Sequence, residues 1–240
     1  MNHEALNKNM DMGNLDMDHV ANMHKEFFVH NDYEWWNPPK TGDVVVDVGA
    51  CVGMFSCMAL DKGADKVYMI EPNKDLLMTA IKNTADYVIN ETESKVVPVH
   101  AAILSDDNHV QHIYNEDTSG SWWEFSFDQF IDFYKIDNID FLKIDCEGGE
   151  YDILTKENFE WICDNVNHIA LEVHRRHGPS GAKDFKKFRD DFLKPYLERG
   201  GQVRYQHLHY GEFIWNDKMI DEKIYTEDLP AEFMIYFTKK

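Results

Sequence analysis

Basic side chains are scarce in this sequence. Its 240 residues carry 24 Lys and Arg against 44 Asp and Glu, for a formal charge of −20. A surface of that sign repels phosphate backbones, which excludes nucleic acid as a partner unless a local basic patch offsets it. The densest basic stretch, "KDFKKFRDDFLK", holds three aspartates of its own and reads as a solvated helix face. Cysteine is sparse too. Cys51, Cys57, Cys146 and Cys163 show no Cys-x-x-Cys spacing, so they are expected to be reduced and structural, without zinc. No apolar run approaches the ~20 residues of a membrane helix. The polar start "MNHEALNKNMDMGNLD" does not read as a signal peptide. A soluble, cytoplasmic protein is expected, with no nucleic acid and no membrane among its partners.

What is present is an alternation. Residues 1–40 lack strand character: "DHVANMHKEFFVHNDYEWW" starts with helical spacing and "NPPK" stops it, which predicts a helical cap. From Asp43 to the end, 43–240, one α/β sheet domain is expected. "DVVVDVG" is a short, continuously apolar, β-branched run, as in a strand buried on both faces of a parallel sheet. "GMFSCMALDKGA" has helical spacing, "KVYMIEP" is a second strand, "NKDLLMTAIKNTADYVIN" a second helix and "KVVPVHAAI" a third strand. "TSGSWWEFS" reads as a polar loop before the helix "SFDQFIDFYKI". "DFLKIDCEG" and "HIALEVH" are strands four and five, with "ENFEWICDNV" as the helix between them. Such alternation predicts a doubly wound sheet with helices on both faces. The tail differs, because "QVRYQHLHY" and "EFMIYFTKK" are strands with no helix between. An antiparallel C-terminal strand ending a mostly parallel sheet is similar to the Rossmann-like sheet of class I methyltransferases.

The turn after the first strand, "DVVVDVGACVGMFS", points to a ligand beyond the strand ends. Gly49 allows a tight turn and Gly53 a close helix start, while Glu71 closes the second strand 24 residues after Asp47. That offset suits a carboxylate meeting ribose hydroxyls. No Gly-Lys-Ser/Thr is present, which excludes a Walker loop, and the third glycine of a dinucleotide fingerprint is missing. Asp47 would sit poorly beside a pyrophosphate but well beside the ammonium and sulfonium of S-adenosyl-L-methionine. A ligand-free strand-to-helix turn is the bland alternative.

"VVVDVGACVGMFS", "VYMIEPN", "FLKIDCEGGEYDIL" and the later "LEVH" together resemble the FkbM-type methyltransferases, over roughly residues 43–175. The first block is common to many methyltransferases, and "LKIDCEGGEYDIL" is the more specific. Cys51 and Cys146 stand where a small or aliphatic residue is more usual, and Gly149 where alanine is. The resemblance implies a seven-stranded class I sheet and S-adenosyl-L-methionine-dependent methylation of a hydroxyl on a sugar, glycan or natural product. It extends the donor site of Asp47, Gly49, Gly53 and Glu71 to Ala50, Phe55, Pro72 and Asn73. Ala102 and Ile103, past the third strand, would line the adenine pocket, with Asp145 at the methyl end.

Four carboxylates then crowd the end of strand four: Asp145, Glu147, Glu150 and Asp152. Asp145 and Glu147, alternating with Cys146, would face one side if the strand persists that far. They are candidate general bases for the acceptor hydroxyl, with His174 of "LEVHRRH" as a third and Glu172 behind it. The bland reading, first-turn stabilisation of a helix, is preferred for Glu150 and Asp152. Asp145, Glu147, Glu172 and His174 are also ligand types able to hold magnesium or manganese, a competing metal-dependent reading without diagnostic spacing. A nicotinamide-dependent oxidoreductase and a non-catalytic binding module stay open as rival classes. Among weaker signals, Asn37–Lys40 resembles the Asn-Pro-Pro-aromatic element of amino-methyltransferases, with Lys40 in the aromatic's place. Trp122 and Trp123 are candidates for stacking on a sugar or adenine. Trp35, Trp36, Trp215, His207 and His209 read as structural.

Overall fold

The apolar, β-branched runs become strands of one sheet. The computed structural model describes residues 10–87, 94–104, 111–115, 120–174, 179–206 and 232–240. His207, His209 and Trp215 lie outside them. In chain order the strands are β1 (Val44–Val48), β2 (Lys66–Ile70), β3 (Val96–Val99), β4 (Ala101–Ile103), β5 (Gln111–Asn115) and β6 (Gly120–Phe125). β7 (Ile139–Ile144), β8 (Val166–His174), β9 (Gln202–Gln206) and β10 (Glu232–Thr238) follow. Seven of them form a sheet in the order β3-β2-β1-β7-β8-β10-β9. Its neighbours are parallel except at β10, which runs antiparallel to both β8 and β9. Pro98 is tolerated because β3 is an edge strand.

Side chains alternate across the sheet, and each face carries its own core. Val46, Val48, Leu142, Ile144, Ile169 and Leu171 face helices α4 (Phe127–Tyr134), α5 (Phe159–Asn165) and α6 (Pro179–Phe188). Val45, Val67, Phe141, Ala170 and Met234 face helix α2 (Met54–Asp61) and the N-terminal segment. Helix α3 (Lys74–Asn83) lies on that second face through Ala80. The alternation extends to charged residues. Asp47 follows Val45, Lys143 follows Phe141 and Glu172 follows Ala170, so all three belong to the second face at its C-terminal end.

The N-terminal cap lies over that end. Asp16 caps α1 (Met17–His24), which continues as a π-turn over Lys25–His30 and stops at Asn31 with φ +53°. That left-handed residue turns Asp32 and Tyr33 inward, where both are buried. "NPPK" is remote from this end: Asn37 Nδ2 donates to Thr238 Oγ1 at 3.0 Å, and Thr238 pairs with His168 at the start of β8.

Two expectations are corrected. "KVVPVHAAI" is two strands rather than one, broken at His100, whose ring contacts the Pro72 carbonyl at 2.9 Å. "TSGSWWEFS" contains strand β6, which pairs parallel with β4 and antiparallel with β5 in a separate three-stranded sheet. Its alternation is hard to read because Trp123 stays half exposed while Phe125 is buried.

Candidate active site

The turn after β1 is shaped by close approach. Gly49 has φ +77°, and a Cβ there would lie 1.7 Å from the Asp145 carbonyl oxygen. No side chain fits. At Gly53, φ +80°, a Cβ would come within 2.9 Å of Ala80 Cβ. Between them Cys51 also adopts a left-handed φ of +50°. This aims its N–H at Glu71 Oε2, 3.0 Å away, while Asn73 N–H donates to Oε1 at 2.8 Å. Each oxygen of the buried Glu71 therefore accepts one backbone proton and keeps a lone pair for a ligand hydroxyl. Burial raises its pKa, and the two N–H donors oppose the rise.

Beside Glu71 opens a cleft of about 460 Å³, within the usual range for small-molecule sites. Gly49, Cys51, Pro72, Ala102 and Ile103 line it, and Asp145 and Glu147 close its far end. Asn73 stands next to it and caps α3, its Oδ1 accepting from Asp75 and Leu76 N–H. The glycine cradle, the carboxylate and the small apolar wall suit the turn, ribose and adenine of S-adenosyl-L-methionine. A second cavity of about 210 Å³ adjoins it, lined by His19, Asn22, Glu26, Ala50, Phe55 and the carboxylate cluster. The two share His19, Gly49, Cys51, Asp145 and Glu147. Trp122 and Trp123 line neither.

Asp47 lies behind the turn rather than in the cleft. It is fully buried, accepts from Ser56 Oγ at 2.7 Å and pairs with Lys143 Nζ at 3.2 Å. Lys143 is a residue that sequence reasoning passed over. Its ammonium also lies 3.3 Å from Asp145 Oδ2 and donates to the Gly49 carbonyl at 2.7 Å. Burial lowers the Lys143 pKa, but the Asp145 and Asp47 charges outweigh it and raise the value. A signal existed: Asp47 and Lys143 each interrupt an apolar stretch of a parallel strand, and they are register partners. Tyr33 was missed as well. Its hydroxyl lies 2.8 Å from Asp145 Oδ2 and 2.7 Å from Glu172 Oε2. Only the fold brings it there.

The carboxylates converge on His174. Its Nε2 is 3.7 Å from Glu172, 3.8 Å from Glu147 and 3.9 Å from Asp145, while Nδ1 is 3.6 Å from Glu150. These are ion-pair rather than hydrogen-bond distances. Burial alone lowers the His174 pKa, but Glu150, Glu172 and Asp145 outweigh it and push it to about 9. A protonated imidazole cannot take a proton, so this shift favours a counter-charge over a base as the role of His174 at neutral pH. Burial works against ionisation of Asp145, yet Lys143, His174 and Tyr33 lower its pKa overall. Glu172 goes the other way, raised well above the usual range by burial and by the Asp145 charge.

The strand does not persist to Glu147. β7 ends at Ile144, and Glu147, at φ +54°, stands largely exposed at the rim. Its closeness to His174 comes from this left-handed turn, not from pleat alternation. Glu150 needs correction as more than a first-turn anion. It is buried, and it accepts from Gly148 N–H at 2.8 Å and His174 N–H at 2.7 Å. Asp145, Glu172 and His174 offer ligand atoms within 4.8 Å of one another.

This strand order, with β10 reversed, defines a class I methyltransferase fold. The chain belongs to the methyltransferase FkbM domain family, whose model matches residues 47–202, a family of S-adenosyl-L-methionine-dependent methyltransferases. Among solved structures it is similar to the FkbM methyltransferase of Methylobacillus flagellatus, at 16% identity and TM-score 0.52. That match covers 98% of this chain and 57% of the other, so this chain spans little more than half that protein's length. A precorrin 8w decarboxylase from Methanobacterium thermoautotrophicum matches at 15% identity and TM-score 0.43, over 95% of this chain and 92% of the other. Aeropyrum pernix fibrillarin with bound S-adenosyl-L-methionine matches at 12% and 0.45, over 86% and 71%. No curated protein matches the chain.

Proposed function

We propose that the protein transfers a methyl group from S-adenosyl-L-methionine to a hydroxyl of a sugar, glycan or small natural product. The observation that carries this reading is the junction of the two cavities at His19, Gly49, Cys51, Asp145 and Glu147. One cavity is built for the donor, and the other ends on carboxylates. The bound donor supplies an electrophilic methyl group. Glu71 would hold the ribose, Ala102 and Ile103 would flank the adenine, and the Gly49 backbone would leave room for the reacting end beside Asp145. Alignment of acceptor oxygen, methyl carbon and sulfur across the junction supplies most of the acceleration. The acceptor hydroxyl becomes far more acidic as its oxygen takes the methyl group. A carboxylate with a depressed pKa can then still remove the proton, late in the step. Asp145 would take that role, with Glu147 at the rim as the other candidate, and His174 Nε2 lies 3.9 and 3.8 Å from the two.

The charge of −20 disfavours an RNA acceptor. The missing third glycine disfavours a nicotinamide cofactor. Titration calorimetry with S-adenosylhomocysteine and with NAD separates the donor classes. S-adenosylhomocysteine should bind, and Glu71→Ala should weaken it by about 1–3 kcal/mol through lost charge-assisted hydrogen bonds. NAD binding in its place would overturn the reading. Methyl-labelled donor incubated with hydroxylated sugars and with RNA then tests the acceptor. Label recovered only in RNA would remove the small-molecule assignment.

A further inference from the structure

The Tyr33 hydroxyl contacts two carboxylate oxygens at hydrogen-bonding distance, Asp145 Oδ2 at 2.8 Å and Glu172 Oε2 at 2.7 Å. A phenol carries one proton. It can donate to one of these oxygens, and ionised carboxylates only accept. Both contacts are hydrogen bonds only if one carboxyl keeps its proton and donates it to the phenol oxygen. We infer that Glu172 is a neutral carboxylic acid that donates to Tyr33, and that Tyr33 passes its own proton on to an ionised Asp145. The chain of donors runs Glu172 O–H to Tyr33 O–H to Asp145, and three oxygens share two protons.

The surroundings decide which carboxyl is neutral. Asp145 has the Lys143 ammonium 3.3 Å from the same Oδ2. Among the described residues, Glu172 Oε2 has no such partner. It is nearly enclosed, and the groups facing it are Tyr33 and Glu26 from the N-terminal segment, Asp145 from the end of β7, His174 on its own strand and the Tyr236 phenol on β10. Only His174 among these carries positive charge, and its nearest approach, 3.7 Å, is to the other oxygen, Oε1. Burial, and the Asp145 charge on the far side of the phenol, both favour the acid form.

With Glu172 neutral, Asp145 is the anion of this pair, held beside Lys143 at the junction of the cavities. Tyr33 is then a positioning residue: it fixes Asp145 Oδ2, while Oδ1 lies 3.9 Å from His174 Nε2. It lies outside residues 47–202, in the segment that covers the sheet end. The catalytic significance rests on the methyl-transfer reading above, but the proton on Glu172 does not.

Infrared spectroscopy on the protein alone, with carboxyl-¹³C glutamate incorporated, reads the proton directly. At pH 7 the expected spectrum contains a protonated-carboxyl carbonyl band that shifts with the label and is absent in Glu172→Gln. Glutamine can donate to Tyr33 as the acid does, so this variant should fold with a thermal midpoint close to that of the parent. Tyr33→Phe should retain the band but displace it, because the acid loses its acceptor. A pH titration of the parent protein, which needs no variant, should lose the band only above neutrality. If neither measurement finds a glutamic acid band at pH 7, Glu172 is ionised, the phenol proton is shared between two anions, and the inference is wrong. Calorimetry with S-adenosylhomocysteine keeps the two proposals apart. Its failure removes methyl transfer and leaves the protonated Glu172, whereas a missing band does the reverse.

Discussion

His174 shows how far neighbours can move one residue. Its pKa of about 9 in the folded protein lies above the 6.5 of a free histidine, so folding favours the protonated form. A group raised in this way stabilises fully below pH 6.5 and loses that contribution as pH rises through 9. The shift corresponds to about 3 kcal/mol at most. Urea unfolding at pH 6, 7.5 and 9 should show stability falling across the series, and His174→Gln should flatten the slope. An equally steep fall in the variant would assign the effect to other groups. At this scale the sequence is a poor guide. It flagged Asp145, Glu147 and His174 as a group, but Lys143 looks like an error in an apolar strand until the register sets it opposite Asp47. Tyr33 is 112 residues from Asp145 and 139 from Glu172, and no local pattern encodes such a contact.

Elements were more legible, for a physical reason. A strand buried on both faces of a parallel sheet is apolar at nearly every position, so β1, β2, β7 and most of β8 stand out. The turn between β1 and α2 was legible through its glycines, and it is also where a small change should cost most. Gly49→Ala would put a methyl group 1.7 Å from the Asp145 carbonyl at a φ of +77°. The backbone would have to shift, a loss expected at about 3 kcal/mol or more, measurable by urea denaturation. A loss below about 1 kcal/mol would show that the β1 turn and the β7 end can move apart freely. The second sheet was less legible. "GSWWEF" has polar residues at its start and an exposed tryptophan, and its strand character comes from pairing with β4 and β5.

Across the whole molecule, charge dominates. An excess of 20 negative charges repels itself in the folded state, and salt screens that repulsion. Raising sodium chloride from about 10 mM, where the Debye length is about 30 Å, to about 1 M, where it is about 3 Å, should raise the thermal midpoint by several degrees. A midpoint that falls would mean that specific ion pairs, such as those of Arg199 with Glu160 and Asp164, outweigh the general repulsion.

The position of β10 has a consequence for synthesis. It follows β9 in sequence, yet it lies between β8 and β9. During translation β9 therefore emerges with no place in the sheet, and the Glu172 edge of the site stays unpaired until Glu232–Thr238 leaves the ribosome. A nascent chain halted before Glu232 would expose the β8 edge to other chains, a window in which a chaperone would be most useful.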